Sequence, residues 1–143
     1  MFTTPVNEIM DQHKLVLVDP ATTVRQAAEM MAQRGVGAVL IVKGNQLVGI
    51  FTERDIVFRV VARGLDTSTT PLSGVMTRDP KTIAPTKTYG SAMLLMHENK
   101  FRHLPVVENN VPIGIVSSRS ALDPELEEFV FEERRRKHLQ ETR

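Results

Sequence analysis

Gly49-Ile50-Phe51-Thr52-Glu53-Arg54-Asp55 is the stretch of this sequence whose residue types and spacing could do chemistry. The apolar run Leu47 to Phe51 reads as a strand. Thr52 then opens a helix, with its hydroxyl placed to cap the first free amides. Backbone amides, a hydroxyl and, one turn in, the carboxylate of Asp55 would converge on one corner. Such a corner suits an anion or a sugar diol, because helix N-termini hold phosphates and carboxylates accept from paired hydroxyls. The plainer alternative is that Thr52 and Asp55 only cap the helix.

The stretch occurs twice. Gly114-Ile115-Val116-Ser117-Ser118-Arg119-Ser120 has the same form, and Gly49 and Gly114 set the offset at 65. At that offset Pro20 meets Pro85, Thr23 meets Thr88, Ala27 meets Ala92, Met31 meets Met96, and Arg54 meets Arg119. A gap-free match of this length marks a tandem duplication of a unit of roughly sixty residues.

The elements that must position the corner follow from pattern. Leu15 to Val18 is a brief strand stopped by Asp19-Pro20. Thr23 and Gln26 form a capping box for a helix that buries Val24, Ala27, Ala28 and Met31 and ends at Gly35. Ala38 to Val42 and Leu47 to Phe51 make a hairpin. The helix from Glu53 to Arg63 ends at Gly64, and Asp66 to Pro71 is a polar linker. The order then repeats: strand Lys81 to Ala84, helix Thr88 to Glu98, hairpin His103 to Val107 and Pro112 to Val116. The second unit's last helix is cut short after Leu122, and Asp123-Pro124 starts a final helix, about Glu125 to Gln140. The predicted organisation is residues 5–64, a linker at 65–71, residues 72–122, and a C-terminal helix within 123–143. The fold class is α+β: two intertwined β-α-β-β-α units, related by pseudo-twofold symmetry and packed sheet on sheet, since neither can bury its sheet alone.

Composition excludes several functions. The formal charge of +1 over 143 residues argues against a nucleic-acid or membrane surface built on bulk electrostatics. There is no cysteine, and the four histidines lack metal-ligand spacing, so no metal is expected. No serine has a His–acid partner and no Gly-rich phosphate loop occurs, so no catalysis is expected. Arg134 to Lys137 reads as a solvated helix end or dimer contact, not a nucleic-acid patch. Without a signal peptide or a long apolar run, a cytoplasmic protein is the default.

The signature at Gly49–Asp55, the segment Phe101-Arg102-His103-Leu104-Pro105-Val106-Val107 and the Thr-x-x-x-Ala openings at Thr23 and Thr88 resemble a tandem pair of cystathionine beta-synthase (CBS) domains, a Bateman module. The resemblance covers residues 5 to about 122, and is nearest to stand-alone bacterial CBS-pair proteins. It implies a sensor of adenosine-containing ligands (AMP first, then ADP, ATP, NAD or S-adenosylmethionine) that regulates an unidentified protein. By the same resemblance Asp55 holds the ribose hydroxyls, Thr52 touches ribose or phosphate, and Ile50 flanks the adenine. Thr82, Ile83 and Ala84 would supply the other side of the adenine pocket. Arg102 and His103 would meet phosphates near the pseudo-twofold axis, with Arg119 a further candidate. The partner of Asp55 is Ser120, and those of Arg102 and His103 are Gly37 and Ala38. One working cleft is therefore expected. The alternative is a ligand-independent structural or partner-binding module. A homodimer is expected through Val57, Val60 and Val61 with Met93 or Met96, extended by Phe129, Val130 and Phe131.

Overall fold

The structure is a computed structural model, and it describes residues 2–118 and 124–141; side chains are described for 2–118 and 132–140. The first unit contains β1 (Leu17–Val18), α1 (Val24–Arg34), β2 (Ala38–Lys43), β3 (Gln46–Thr52) and α2 (Glu53–Asp55), which runs on as a π-helix over Ile56–Val61. The second contains β4 (Thr77–Arg78), α3 (Tyr89–Asn99), β5 (His103–Glu108) and β6 (Val111–Ser117). The final helix α4 spans Pro124–Glu141.

Local chemistry places these boundaries. Thr23 accepts from the Gln26 amide while Gln26 accepts from the Thr23 amide, and Gly35 ends α1 in the left-handed region. Thr88 caps α3 through the Ser91 amide, and Lys100 takes the left-handed position that Gly35 fills in the first copy. Both hairpins turn on two residues of positive φ, Gly44-Asn45 and Asn109-Asn110, the pattern of a type I′ turn. Each hairpin carries a register shift two pairs before its turn, between Ile41 and Val42 and between Val106 and Val107. The duplication is thus visible down to its bulges.

The units are interlocked by their leading segments. Leu72, Val75 and Met76 precede the second unit's sheet, yet they pack into the first unit's core with Phe51, Val39, Ile41 and Val60. Val6 precedes the first unit and is buried in the second unit's core with Leu104, Val106 and Val116. Backbone bonds repeat the exchange. Val24 and Arg25, at the start of α1, donate to the linker carbonyls of Thr70 and Thr67. Tyr89 and Gly90, at the start of α3, donate to Thr4 and Phe2. Each helix N-terminus, whose amides would otherwise lack partners, is thereby satisfied from the other half of the chain.

Between the units lies a third apolar cluster, Ala38, Leu40, Leu47 and Ile50 against Ile115, with Leu15 and Val107 at its edge. The turn of the second hairpin is tied to β3: Leu47 N donates to Asn110 O at 2.9 Å and Asn110 Nδ2 to Leu47 O at 3.1 Å. The expected sheet-on-sheet packing is this layer.

Four expectations are corrected. The strand at Lys81–Ala84 shrinks to one parallel bridge, Ile83 to Val106. The strand Thr77–Arg78, which sequence did not suggest, pairs antiparallel with Gly49 and Ile50. The helix after Asp55 is not α-helical throughout; the Ala62 amide bonds Val57 O, five residues back. The expected dimer face of Val57, Val60 and Val61 is divided by burial. Val60 is fully buried, whereas Val57, Phe58 and Val61 are exposed. Met96 is likewise buried and Met93 is half-buried, so the large apolar side chain exposed on α3 is Leu94. Phe129, Val130 and Phe131, with Arg119 and Ser120, lie outside the residues whose side chains are described.

Gly49 and Gly114 owe their identity to close packing. A Cβ on Gly49 would stand 3.0 Å from Met76 Cγ and 3.1 Å from the Thr77 carbonyl oxygen. On Gly114 it would meet Met10 Cγ at 2.9 Å, the pseudo-symmetric contact. Gly49→Ala is therefore expected to cost about 1–3 kcal/mol through overpacking. Urea denaturation checks this, and an unchanged midpoint would contradict it.

Candidate functional site

Thr52 sits at the end of β3 with extended backbone, and its side chain accepts from the Asp55 amide at 3.4 Å. The Asp55 carboxylate reaches back: Oδ2 accepts from the Thr52 amide at 2.9 Å and from the Thr52 hydroxyl at 3.2 Å. Oδ1 faces Arg59 Nε at 3.4 Å. Asp55 is the one charged residue among those described that is buried, at 8 % exposure. A buried carboxylate persists only when paired and hydrogen-bonded, and this one has both kinds of partner.

Three amides of the corner are already engaged. Thr52 N is held by Asp55, Asp55 N by the Thr52 hydroxyl, and Glu53 N by the Gly37 carbonyl at 3.0 Å. A carboxylate offers about four acceptor positions, and the two hydrogen bonds made here both fall on Oδ2, leaving Oδ1 with the Arg59 ion pair alone.

The second unit approaches this corner through His103. A Cβ on Gly37 would lie 3.0 Å from His103 Cε1 and would collide with the Glu53 carboxylate. Gly37 thus leaves room for Glu53, from the corner, and His103, from the first residue of β5, to meet across the units. Gly37 is also the pseudo-symmetric partner of Arg102, so the space exists because the first copy carries no side chain where the second carries arginine.

The other predicted residues are placed as follows. Ile50 is buried in the layer between the units, beside Thr77 in the β3–β4 pairing. Ile83 is buried and bonded to β5, donating to Pro105 O and accepting from Val107 N, both at 3.0 Å. Thr82 is half-buried, Ala84 exposed, and Arg102 exposed just ahead of β5. Among the described residues no hydrogen bond or ion pair joins Arg102, Thr82 or Ala84 to Thr52 or Asp55. Arg54 turns outward, its guanidinium 4.5 Å from the centre of the Phe58 ring. A shallow depression of about 430 Å³, lined by Asp19, Pro20, Ala21, Lys43, Pro71 and Ser73, contains none of the predicted site residues.

Sequence reasoning missed Arg59. Its Nη1 donates to the carbonyls of Met76 at 3.0 Å and Val75 at 3.3 Å while Nε faces Asp55. The signal available was its position four residues after an aspartate on one helix.

With this geometry in hand, comparison with known proteins settles the family. The CBS domain profile matches twice, over residues 6–62 and 72–124. The chain belongs to the CBS domain family. It is a tandem CBS pair, a regulatory type of module. YhcV of Bacillus subtilis, a CBS domain-containing protein, is 36% identical over 104 residues, which are 73% of this chain and 74% of that one. CBSCBSPB1 of Arabidopsis thaliana is 37% identical over 110 residues, 76% of this chain; the chain spans only 20% of that relative's length. Among solved structures, a conserved protein from Pyrococcus horikoshii superposes with a TM-score of 0.79 at 28% identity, covering 85% of this chain and 92% of that one. The CBS domain pair of protein MJ0100, solved with 5′-methylthioadenosine and S-adenosyl-L-methionine, superposes at 0.74 with 22% identity, covering 82% and 92%. At that identity the likeness shows the fold alone. No helix among the described residues is long and apolar enough to cross a membrane.

Because Asp55 caps α2 and pairs with Arg59, its removal should weaken the free CBS pair. Asp55→Ala is expected to cost about 1–2 kcal/mol, the scale of a lost N-cap and a part-buried ion pair. Asp55→Asn, which keeps an acceptor oxygen, should cost less. Urea midpoints without ligand measure both, and equal stability of wild type and Asp55→Ala would contradict the capping role.

Proposed function

We propose that this CBS pair is a sensor that binds an adenosine-containing nucleotide in the cleft between its units, with the ribose diol on Asp55. The observation that carries the reading is the buried carboxylate at the β3–α2 corner, whose Oδ1 accepts no hydrogen bond from the protein. The adenosine ligands in the MJ0100 pair, which has the same fold, support the ligand class. Thr52 lies beside the ribose, Ile50 flanks the base from one side, and Thr82, Ile83 and Ala84 close the other. Arg102 and His103 take the phosphate end, with AMP the first candidate and ADP, ATP and NAD the alternatives. The second corner, with Ser120 at the position of Asp55, lacks the ribose carboxylate.

Its test is a thermal-shift panel of AMP, ADP, ATP, NAD, NADH and S-adenosylmethionine. A ligand at a hundred times its Kd should add about 2.7 kcal/mol of stability. A second reading, a ligand-independent structural or partner-binding module, is favoured by one observation. The corner satisfies its own hydrogen bonds, and no described buried side-chain polar atom lacks a partner. A panel with no shift for any nucleotide would select that second reading.

The module assembles as a homodimer through the exposed side chains of Val57, Phe58 and Val61 and of Leu94, an apolar surface that a second copy would cover. Light scattering at micromolar concentration should give twice the 16.0 kDa chain mass. A monomeric mass would contradict it.

A further inference from the structure

We propose that Arg59 is a positioning residue of the ribose site, setting its selectivity for ribose over deoxyribose by fixing the Asp55 carboxylate. This inference rests on the nucleotide-binding reading above. The terminal torsion of an aspartate is broad, so a carboxylate held at one oxygen can still swing. Thr52 holds only Oδ2. Arg59 Nε, 3.4 Å from Oδ1, restrains the second oxygen electrostatically, and Oδ1 accepts no hydrogen bond from the protein.

The guanidinium is itself immobilised. Nη1 donates to the carbonyls of Val75 and Met76, and these belong to the leading segment of the second unit, buried in the first unit's core. Met76 also packs its thioether over Gly49, on the strand that ends at Thr52. The carboxylate is thus clamped between its own helix cap and a segment contributed by the other unit. Arginine suits this because its planar fork donates in several directions at once. Lysine has one ammonium, which would have to leave either the carboxylate or the carbonyls. Val60, the next residue, lies fully inside the core, which anchors the backbone beneath Arg59 as well.

The test is calorimetry of the whole chain with AMP, 2′-deoxy-AMP and adenosine. The ratio of AMP to 2′-deoxy-AMP affinity reads the diol end, and the ratio of AMP to adenosine reads the phosphate end. Wild type should prefer AMP over its deoxy analogue by about tenfold, the scale of one charge-assisted hydrogen bond. Arg59→Met should reduce that preference to about threefold or less while leaving AMP over adenosine within about twofold of wild type. Arg59→Lys should fall between, and it decides the matter if the methionine variant does not fold. A wild-type ribose preference in either variant overturns the proposal. So does a parallel loss of both ratios, which is what a merely structural arginine would give. If the wild-type chain shows no ribose preference and Asp55→Asn binds AMP as wild type does, the ribose reading itself has failed and this inference falls with it. If wild type and Asp55→Asn differ but Arg59→Met matches wild type, only the role of Arg59 is overturned.

Discussion

The structure depends on one constraint: neither CBS unit owns all of its core. Leu72, Val75 and Met76 complete the first unit, and Val6 completes the second. Leu72 and Val6 are fully buried, and each contributes about 1.5–3 kcal/mol that its own unit could not claim if the halves separated. The same segments satisfy the helix N-termini of the opposite unit, so separation would also leave amides without partners. Two sheets of four and two strands, too small to cover themselves, become one folded body by sharing.

The candidate site inherits this sharing. Asp55 stands on the first unit, but the arginine beside it is anchored on carbonyls of the segment that leads the second. His103 comes from the second unit and reaches the glycine beside Glu53 on the first. A carboxylate held this way needs no ligand for its burial to be tolerable. That explains how the corner exists as a stable structural feature and still presents an acceptor position.

The sequence carried the repeat, the hairpins, the Thr23–Gln26 capping box and the Thr52 cap, because each rests on contacts within a few residues or on a visible period. What it did not carry was tertiary. Nothing local shows that Gly49 is glycine because Met76 lies over it, or that Gly37 makes room for Glu53 and His103. The helix after Asp55 widens into a π-helix, a departure that an α-helical period does not announce. Arg59 had a legible half, its spacing from Asp55, and an illegible one, its grip on Val75 and Met76. Thr77–Arg78 pairs with β3 through the exchange of leading segments, and no pattern of two residues could announce that.

Duplication followed by divergence should leave one functional cleft. The first copy retains aspartate at the ribose position and the second has Ser120; the second retains Arg102 and His103 where the first has Gly37 and Ala38. The acidic and basic halves of a nucleotide site would then be split between units and complete only once. The direct measurement is the stoichiometry of AMP binding by isothermal titration calorimetry. One site per chain, weakened about tenfold or more by Asp55→Ala and left nearly unchanged by Ser120→Ala, is the predicted result. Two equivalent sites per chain, or equal losses from the two substitutions, would contradict it.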